Sequence, residues 1–519
     1  MTNESSNKLP IPPGALVAEV LRASGYALDL ACGGVGVCGK CLVDVYSTSG
    51  TRRAVLACRT YGSADAAWVD VARLARSAPK IYVPESPLEL SAAPTDAERR
   101  GTFGLAVDLG TTTIVCTLAS LSSGRVFGVQ STRNPQTAYG RDVLSRIAAA
   151  RAPETAAALR QVVCETIERL GLDLLRDAGV SAKKLVSVII AGNTTMEFLL
   201  TGRDAAPLGE APFCVDVKTF PEYRAAAFGW TSFPNAPVLV FPVFSAFVGG
   251  DVLAGVEHLR LKGVFEQDKK ALLFDVGTNG ETFLGVDGSF YTSSTAAGPA
   301  FEGGRISQGS LAVPGAIASV EHDVSQGLWN ARTLGGAPSK SVCGSGLIDA
   351  LAAALEFGLL APDGRIRESS DEAARSRGKC KERKLLISND EEFPVWLTQQ
   401  DVREAQLALG AMKAGLRLTL EAAGIAASEL DAFFLSGGFG GSLNCANARR
   451  VGAIPSSTPI DRVYYGGNTS LFGALDALLE RFRWNSLEET IFSVEPVDLV
   501  SRADFAEIFA QLTRFPEQK

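Results

Sequence analysis

The sequence predicts a multidomain α/β protein: a small N-terminal unit built around cysteines, then a two-lobed, internally duplicated α/β body. Three observations predict it. Four cysteines stand in a glycine-rich frame at the front, Cys32, Cys38, Cys41 and Cys58, spaced C-x5-C-x2-C-x16-C. An Asp-x-Gly-Thr turn occurs twice, at Asp108 and Asp275, each time between strand-like segments. A glycine-rich turn, Ser436-Gly-Gly-Phe-Gly, follows a strand-like apolar run nearer the C-terminus.

Length and composition set the frame. A chain of 519 residues exceeds what one hydrophobic core supports. Its 46% hydrophobic and 21% charged residues are those of a globular protein. The net charge of −7, with no basic stripe, argues against nucleic acid as a partner. The N-terminus lacks a basic region followed by an apolar one, and the longest apolar run, 237–250, is too short to span a bilayer. No membrane association and a cytoplasmic location are therefore expected. The other six cysteines are scattered and read as small buried hydrophobes. Two histidines without metal-ligand spacing argue against a histidine-built metal site.

Taken in order, residues 1–76 form the cysteine unit, with a short helix over 15–23 and strands over 40–46 and 67–71. Residues 77–101 have the proline-rich, charged composition of a linker. The first lobe, 102–270, opens on a three-strand meander over 103–109, 113–119 and 125–130. The second lobe, 271–519, opens on the same pattern: ALLFDV, GTNG, ETFLGV, DGS, FYTSS. The repeat reads as a duplication with a cleft between the copies. Helical periods occupy 156–178, 252–261, 347–357 and 403–423. Residues 365–384 are polar, charge-dense and aperiodic, and read as an exposed, mobile insertion.

The cysteine pattern points to iron–sulfur chemistry. Closely spaced ligands of a 2Fe-2S cluster come from one loop, and Gly33, Gly34, Gly36 and Gly39 let backbone N–H groups approach the sulfurs. A four-cysteine zinc site would favour two C-x2-C knuckles, and only one is present. Cys32, Cys38, Cys41 and Cys58 are the predicted ligands. The Asp-x-Gly-Thr turns point to a triphosphate. Their N–H groups can receive phosphate oxygens, and the aspartate at the strand end can hold Mg²⁺ through water. Gly110, Thr111 and Thr112 on one side, and Gly277, Thr278 and Asn279 on the other, would grip it. Gly437, Gly438 and Phe439 would leave room for adenosine. A single such turn is a weak signal; two in matching settings are much stronger.

These three pieces, in this order, resemble the superfamily of sugar kinases, actin and the heat-shock chaperones. The resemblance implies an actin-like, ribonuclease H-like ATPase. It implies a carboxylate shortly before the second phosphate turn that orients the attacking water or hydroxyl, here Asp251 in Gly-Gly-Asp. A helix-cap role for Asp251 is the plainer alternative. Asp108 and Asp275 complete the catalytic set, Asn193 is expected to point into the same cleft, and 466–470 looks like a hinge-side connection. The first 75 or so residues resemble a β-grasp 2Fe-2S ferredoxin with short opening strands.

The union resembles the reductive activators of corrinoid-dependent methyltransferases and corrinoid iron–sulfur proteins. AVDLGTTTI, NPQTAYGRDV, AGNTTM, AGPAFEG, CGSGLID and SGGFG carry the resemblance, with DFAEIFAQLTRFP at the end. It implies a 2Fe-2S cluster, ATP and Mg²⁺ as cofactors. It implies transfer of one electron to the Co(II) corrinoid of a partner protein, restoring Co(I), with an external low-potential donor. A homodimer stays open, and the short link departs from larger members. The alternatives are an ATP-driven donor to another low-potential enzyme and a redox-regulated small-metabolite kinase. Residues 296–309 read either as a contact surface or as a cleft-lining loop.

Overall fold

The computed structural model describes residues 8–24, 26, 41–63, 66–71, 90–91, 93–215, 217–323, 328–367, 380–381, 383–388, 393–437 and 443–518. Cys32, Cys38, Gly438, Phe439 and most of 77–92 and 365–384 lie outside the described residues.

The N-terminal unit holds β1 (Lys8–Pro10), β2 (Leu42–Ser47), β3 (Arg52–Leu56) and β4 (Ala66–Asp70), antiparallel, in spatial order β1-β4-β2-β3. Among the described residues the opening strand is three residues long. Strand alternation turns Val43 and Val45 inward onto Val17 and Leu21 of the helix Val17–Ala23. Tyr46 stacks on its cross-strand partner Trp68 with ring centroids 4.0 Å apart.

Two larger sheets form the body. The first contains β5 (Phe103–Leu109), β6 (Thr113–Ser120), β7 (Val126–Arg133), β8 (Leu185–Gly192), β9 (Tyr223–Arg224) and β10 (Pro237–Val240), in order β7-β6-β5-β8-β10-β9. The second contains β11 (Lys270–Val276), β12 (Gly280–Val286), β13 (Ser289–Thr295), β20 (Ala432–Gly437), β21 (Val463–Gly467) and β22 (Val494–Pro496), in order β21-β20-β11-β12-β13-β22. Each contains a three-strand antiparallel meander whose first strand also pairs in parallel, β5 with β8 and β11 with β20. A parallel neighbour requires a long crossover. The helices Pro153–Asp177 and Gln399–Ala422 lie on those crossovers. Asp108 and Asp275 occupy the same place, one residue before the end of their strands. Two small sheets accompany the second: β14 (Ala316–Asp323), β15 (Leu328–Thr333) and β16 (Ser341–Val342), then β17 (Cys380–Lys381), β18 (Lys384–Leu386) and β19 (Trp396–Thr398).

Each large sheet has its own core. Leu159, Val163, Ile167, Leu170 and Leu174 recur at helical spacing and cover Phe103, Leu105 and Val107. Phe274, Phe433 and Leu435 pack with the helices Gly344–Glu356 and Gln399–Ala422. A third cluster joins the sheets, with Ala106 and Ile189 from the first and Leu273 and Phe283 from the second. Between them the helices Gly250–Arg260 and Thr469–Leu478 cross at glycines. A Cβ on Gly473 would lie 1.9 Å from Ala254 O, and one on Gly255 2.7 Å from Thr469 Oγ1. The helix Thr469–Leu478 also packs on β5 and β8, so late sequence returns to the first sheet.

Residues 93–100, of linker composition, are docked rather than free. Thr95 and Glu98 form a capping box for the helix Asp96–Arg100. Glu98 pairs with Arg125 at 2.9 Å, and Arg99 Nη1 donates to Ala178 O at 2.6 Å. Among the described residues, no helix is long and apolar enough to cross a membrane.

Candidate nucleotide cleft and cysteine site

Both Asp-x-Gly-Thr turns open onto one cavity of about 150 Å³, and Asp108, Asp251, Asp275, Glu281 and Glu302 all line it. The turns face each other directly: Thr112 Oγ1 lies 3.0 Å from Thr278 Oγ1. The Glu302 carboxylate accepts from both hydroxyls, from Thr112 at 2.9 Å and from Thr278. One carboxylate therefore spans the two sheets.

The first turn is braced from behind. Asn134 Nδ2 donates to Gly110 O at 2.9 Å and its backbone N to Thr112 O at 2.8 Å. The guanidinium of Arg146, with 0% of the residue exposed, donates to Thr111 O at 2.5 Å and to Gly140 O at 3.0 Å. The start of the NPQTAYGRDV segment and Arg146, three residues beyond its end, brace this turn. Asn193 caps the helix Thr194–Thr201 by accepting from Met196 N, and donates to Thr111 Oγ1 at 2.7 Å. Asp108 accepts from Asn468 Nδ2 at 2.7 Å and Ser470 Oγ at 2.9 Å.

The second turn closes one residue sooner. Gly277 N donates to Asn279 O at 2.8 Å, where Gly110 N reaches one residue further, to Thr113 O at 3.0 Å. Gly298 N holds Thr278 O at 2.8 Å. Gly437, ending β20, has φ +123°, and a Cβ there would lie 2.0 Å from Val276 O, so only glycine fits. At Gly277 a Cβ would meet nothing nearer than Asn279 O at 4.0 Å. The space above it is the cleft.

Asp251 lies in the first turn of the helix Gly250–Arg260, and its Oδ1 accepts from Val252 N at 2.8 Å. The cap position itself belongs to Gly249, which corrects the helix-cap alternative. Gly249 lets the helix start press on the start of the helix Thr194–Thr201, since a Cβ there would lie 2.5 Å from Asn193 Cα.

Burial and crowding of like charges dominate the electrostatics. Burial, then the carboxylates of Asp275 and Asp108, push Asp251 up to about 8. Burial and Asp108 push Asp275 up to about 6, against the Ser436 hydroxyl. Burial raises Asp108 against its Asn468 and Ser470 hydrogen bonds. It also raises Glu281 and Glu302, the latter against the two threonine hydroxyls and the charges of Arg133 and Arg146. Glu197, fully buried behind the cleft, accepts from Gly192 N at 3.0 Å and is pushed well above the carboxylate range by burial and Asp251. Among the described residues, no lysine or arginine lines the cavity. The five carboxylates supply anionic oxygen donors, which suit a hard divalent cation such as Mg²⁺. The backbone turns suit phosphate oxygens.

The structure brings together Asp108, Gly110, Thr111, Asn193, Asp251, Asp275, Gly277, Thr278, Asn279 and Gly437 as cavity lining, with Thr112 touching Thr278. It adds Glu281, Asn468 and Ser470, to which the sequence motifs assign no role in this cleft, and Glu302 from the segment 296–309. Of the two readings of 296–309, the cleft-lining one holds for its centre. Phe301 is 2% exposed in the core and Glu302 enters the cleft, while exposed Arg305 pairs with Glu404 at 3.6 Å.

In the N-terminal unit, Cys41 precedes β2 and Cys58 follows β3, strands whose ends pair at Leu42 and Leu56. The two sulfurs lie 3.2 Å apart, buried, and neither is in a disulfide. Two converging thiols from adjacent strands fit half of a four-thiolate cluster set. Leu42, next to Cys41, is 58% exposed, and Tyr61 is 64% exposed.

Fold and cleft define the class: a two-lobed ATPase of the ASKHA type with an iron–sulfur unit in front of it. Three family models match the chain in sequence order. They are the 2Fe-2S iron–sulfur cluster binding domain over 2–62, the RACo middle region over 103–263, and the C-terminal domain of RACo, the ASKHA domain, over 269–519. The corrinoid activation enzyme RamQ of Eubacterium limosum is 27% identical over 542 residues, 89% of this chain and 90% of that protein. The [Co(II) methylated amine-specific corrinoid protein] reductase of Methanosarcina barkeri is 27% identical over 421 residues, 75% of this chain and 72% of that protein. A solved structure of a reductive activator for corrinoid, iron–sulfur protein matches with TM-score 0.74 and 27% identity, over 97% of this chain and 96% of that one. The chain belongs to the family of reductive activators of corrinoid proteins.

Proposed function

We propose that this protein is an ATP-dependent reductive activator that passes one electron to the Co(II) corrinoid of a partner protein, restoring Co(I). The observation that carries the reading is a converging thiol pair in the same chain as a closed, double-turn phosphate cleft. Bound, a 2Fe-2S cluster supplies a one-electron donor and Mg-ATP supplies binding and hydrolysis free energy.

Cys32, Cys38, Cys41 and Cys58 are the proposed cluster ligands. Gly110, Thr111, Thr112, Gly277, Thr278 and Asn279 are assigned to the phosphates. Asp108 and Asp275 are assigned to Mg²⁺, and Gly437, Gly438 and Phe439 to the adenosine. Asn193 orients Thr111. Asp251 is assigned as the base, because a buried carboxyl with raised proton affinity suits proton abstraction from water. The proposed units are 1–76, 77–101, 102–270 and 271–519, in a cytoplasmic protein recharged by an external low-potential donor. Lobe closure shifts an equilibrium only by the differential affinity of nucleotide for the two states.

The test mixes anaerobic, reduced protein with a Co(II) corrinoid protein, with and without Mg-ATP, and follows the visible spectrum. Co(I) forming only with ATP is the expected result. Co(I) forming equally without ATP sinks the ATP-driven reading. Cys58→Ser is expected to lose the cluster spectrum and Co(I) formation while ATP turnover survives.

A further inference from the structure

The loop 298–304 is held more firmly than a surface loop requires. Gly298 and Gly303 flank it at φ +77° and +75°, and a Cβ on Gly303 would lie 2.3 Å from Ser310 N. A Cβ on Gly344 would lie 2.2 Å from Phe301 O, so the start of the helix Gly344–Glu356 presses on this loop. Phe301 is anchored in the core of the second sheet. These constraints deliver one side chain, Glu302, into the cleft, where it takes a hydroxyl from each phosphate turn. Those hydroxyls belong to the groups that a terminal phosphate, lying between the turns, would seek. A carboxylate and a phosphate oxygen are both anionic acceptors, and among the described residues no lysine or arginine lines the cavity, the charges of Arg133 and Arg146 acting on Glu302 from outside it.

We propose that Glu302 is the positioning residue through which the cleft distinguishes a nucleoside triphosphate from a diphosphate, an inference that rests on the nucleotide reading above. Its carboxylate stands in for the third phosphate, clasping Thr112 to Thr278 across the cleft. A triphosphate must displace it to reach both hydroxyls. A diphosphate, lacking the third group, leaves the clasp in place. The occupant of the clasp, carboxylate or phosphate, then reports whether ATP is bound.

The test measures dissociation constants for ATP and for ADP by calorimetry at saturating Mg²⁺, on the full chain and on Glu302→Gln and Glu302→Ala. Glutamine keeps the shape and an acceptor oxygen while removing the charge. The expected result is ATP affinity increased about tenfold in Glu302→Gln, the effect of relieving one like charge at hydrogen-bond range, with ADP affinity changed about twofold or less. Glu302→Ala should tighten ATP at least as much. Equal changes for the two nucleotides, or weaker ATP binding in Glu302→Gln, would overturn the proposal. An unmodified protein that binds neither nucleotide would overturn the nucleotide reading and this inference together. Should Glu302→Ala fail to fold, the ATP-to-ADP ratio of Glu302→Gln decides alone.

Discussion

The two phosphate turns share one pattern and are supported differently. Around Asp108, side chains from 134, 146, 193, 468 and 470 fix the turn or its aspartate. Around Asp275, the support comes from the adjoining strand and loop: Gly437, Ser436 and Gly298. The first turn is fixed by side chains on many sides, whereas the second is held by neighbouring backbone, the Ser436 hydroxyl and the Glu302 carboxylate, and leaves Gly277 facing empty space. A duplicated motif thus divides into a braced jaw and an open one. The brace also ties the state of the first jaw to the segment 468–470, which leads straight into the helix that packs on β5 and β8.

Substitutions test this division. The largest effect is expected at Gly437→Ala. The new methyl would lie 2.0 Å from Val276 O at a φ of +123°, costing about 3 kcal/mol or more and lowering the melting temperature sharply. Next comes Arg146→Met, which leaves the Thr111 and Gly140 carbonyls without their buried donor. A loss of about 3 kcal/mol in denaturant unfolding is expected, and a loss under about 1 kcal/mol would refute the brace. Asn468→Ala removes one donor from buried Asp108 and should cost about 1.5 kcal/mol. Gly277→Ala should leave the melting temperature unchanged, since nothing lies within 4.0 Å, yet weaken nucleotide binding about tenfold by filling the cleft. Unchanged binding would show that the open jaw does not meet the ligand.

A pH series separates the jaws by charge. Asp275 and Asp251 hold protons in the folded state up to about 6 and about 8, above the ordinary carboxylate range. Their contribution to stability is complete below that range and is lost as pH rises through those two values. Melting temperatures of the ligand-free protein should fall across this window, and Mg-ATP should flatten the decline. A flat profile without ligand would contradict the crowded-carboxylate account.

Much of this is legible in the sequence because it is local. The paired Asp-x-Gly-Thr turns sit where strand, turn and strand follow within a few residues, so consecutive residues alone define both meanders. The long helices lie close to their predicted bounds for the same reason: their apolar spacing is written in consecutive turns. What the sequence does not reveal is non-local. Asn468 and Ser470 reach an aspartate far earlier in the chain, and the 466–470 segment reads only as a connection. The sequence leaves Glu302 undecided between a contact surface and a cleft-lining loop, because a carboxylate between Phe301 and glycines suits either. The docking of 93–100 is hidden by linker composition, although Thr95 with Glu98 three residues on is itself a capping signal.

The lack of lysine and arginine among the described cleft-lining residues has a chemical corollary. A site that neutralises phosphates through a cation held by carboxylates must first empty those carboxylates of protons. Burial and the neighbouring carboxylates push Asp251 up to about 8, so a cation loading the cleft would release a proton to bulk water. Binding heat should therefore depend on the ionisation enthalpy of the buffer. Each round of nucleotide exchange would be accompanied by a proton leaving and returning, so acidity would act as an unseen reactant in the delivery of an electron.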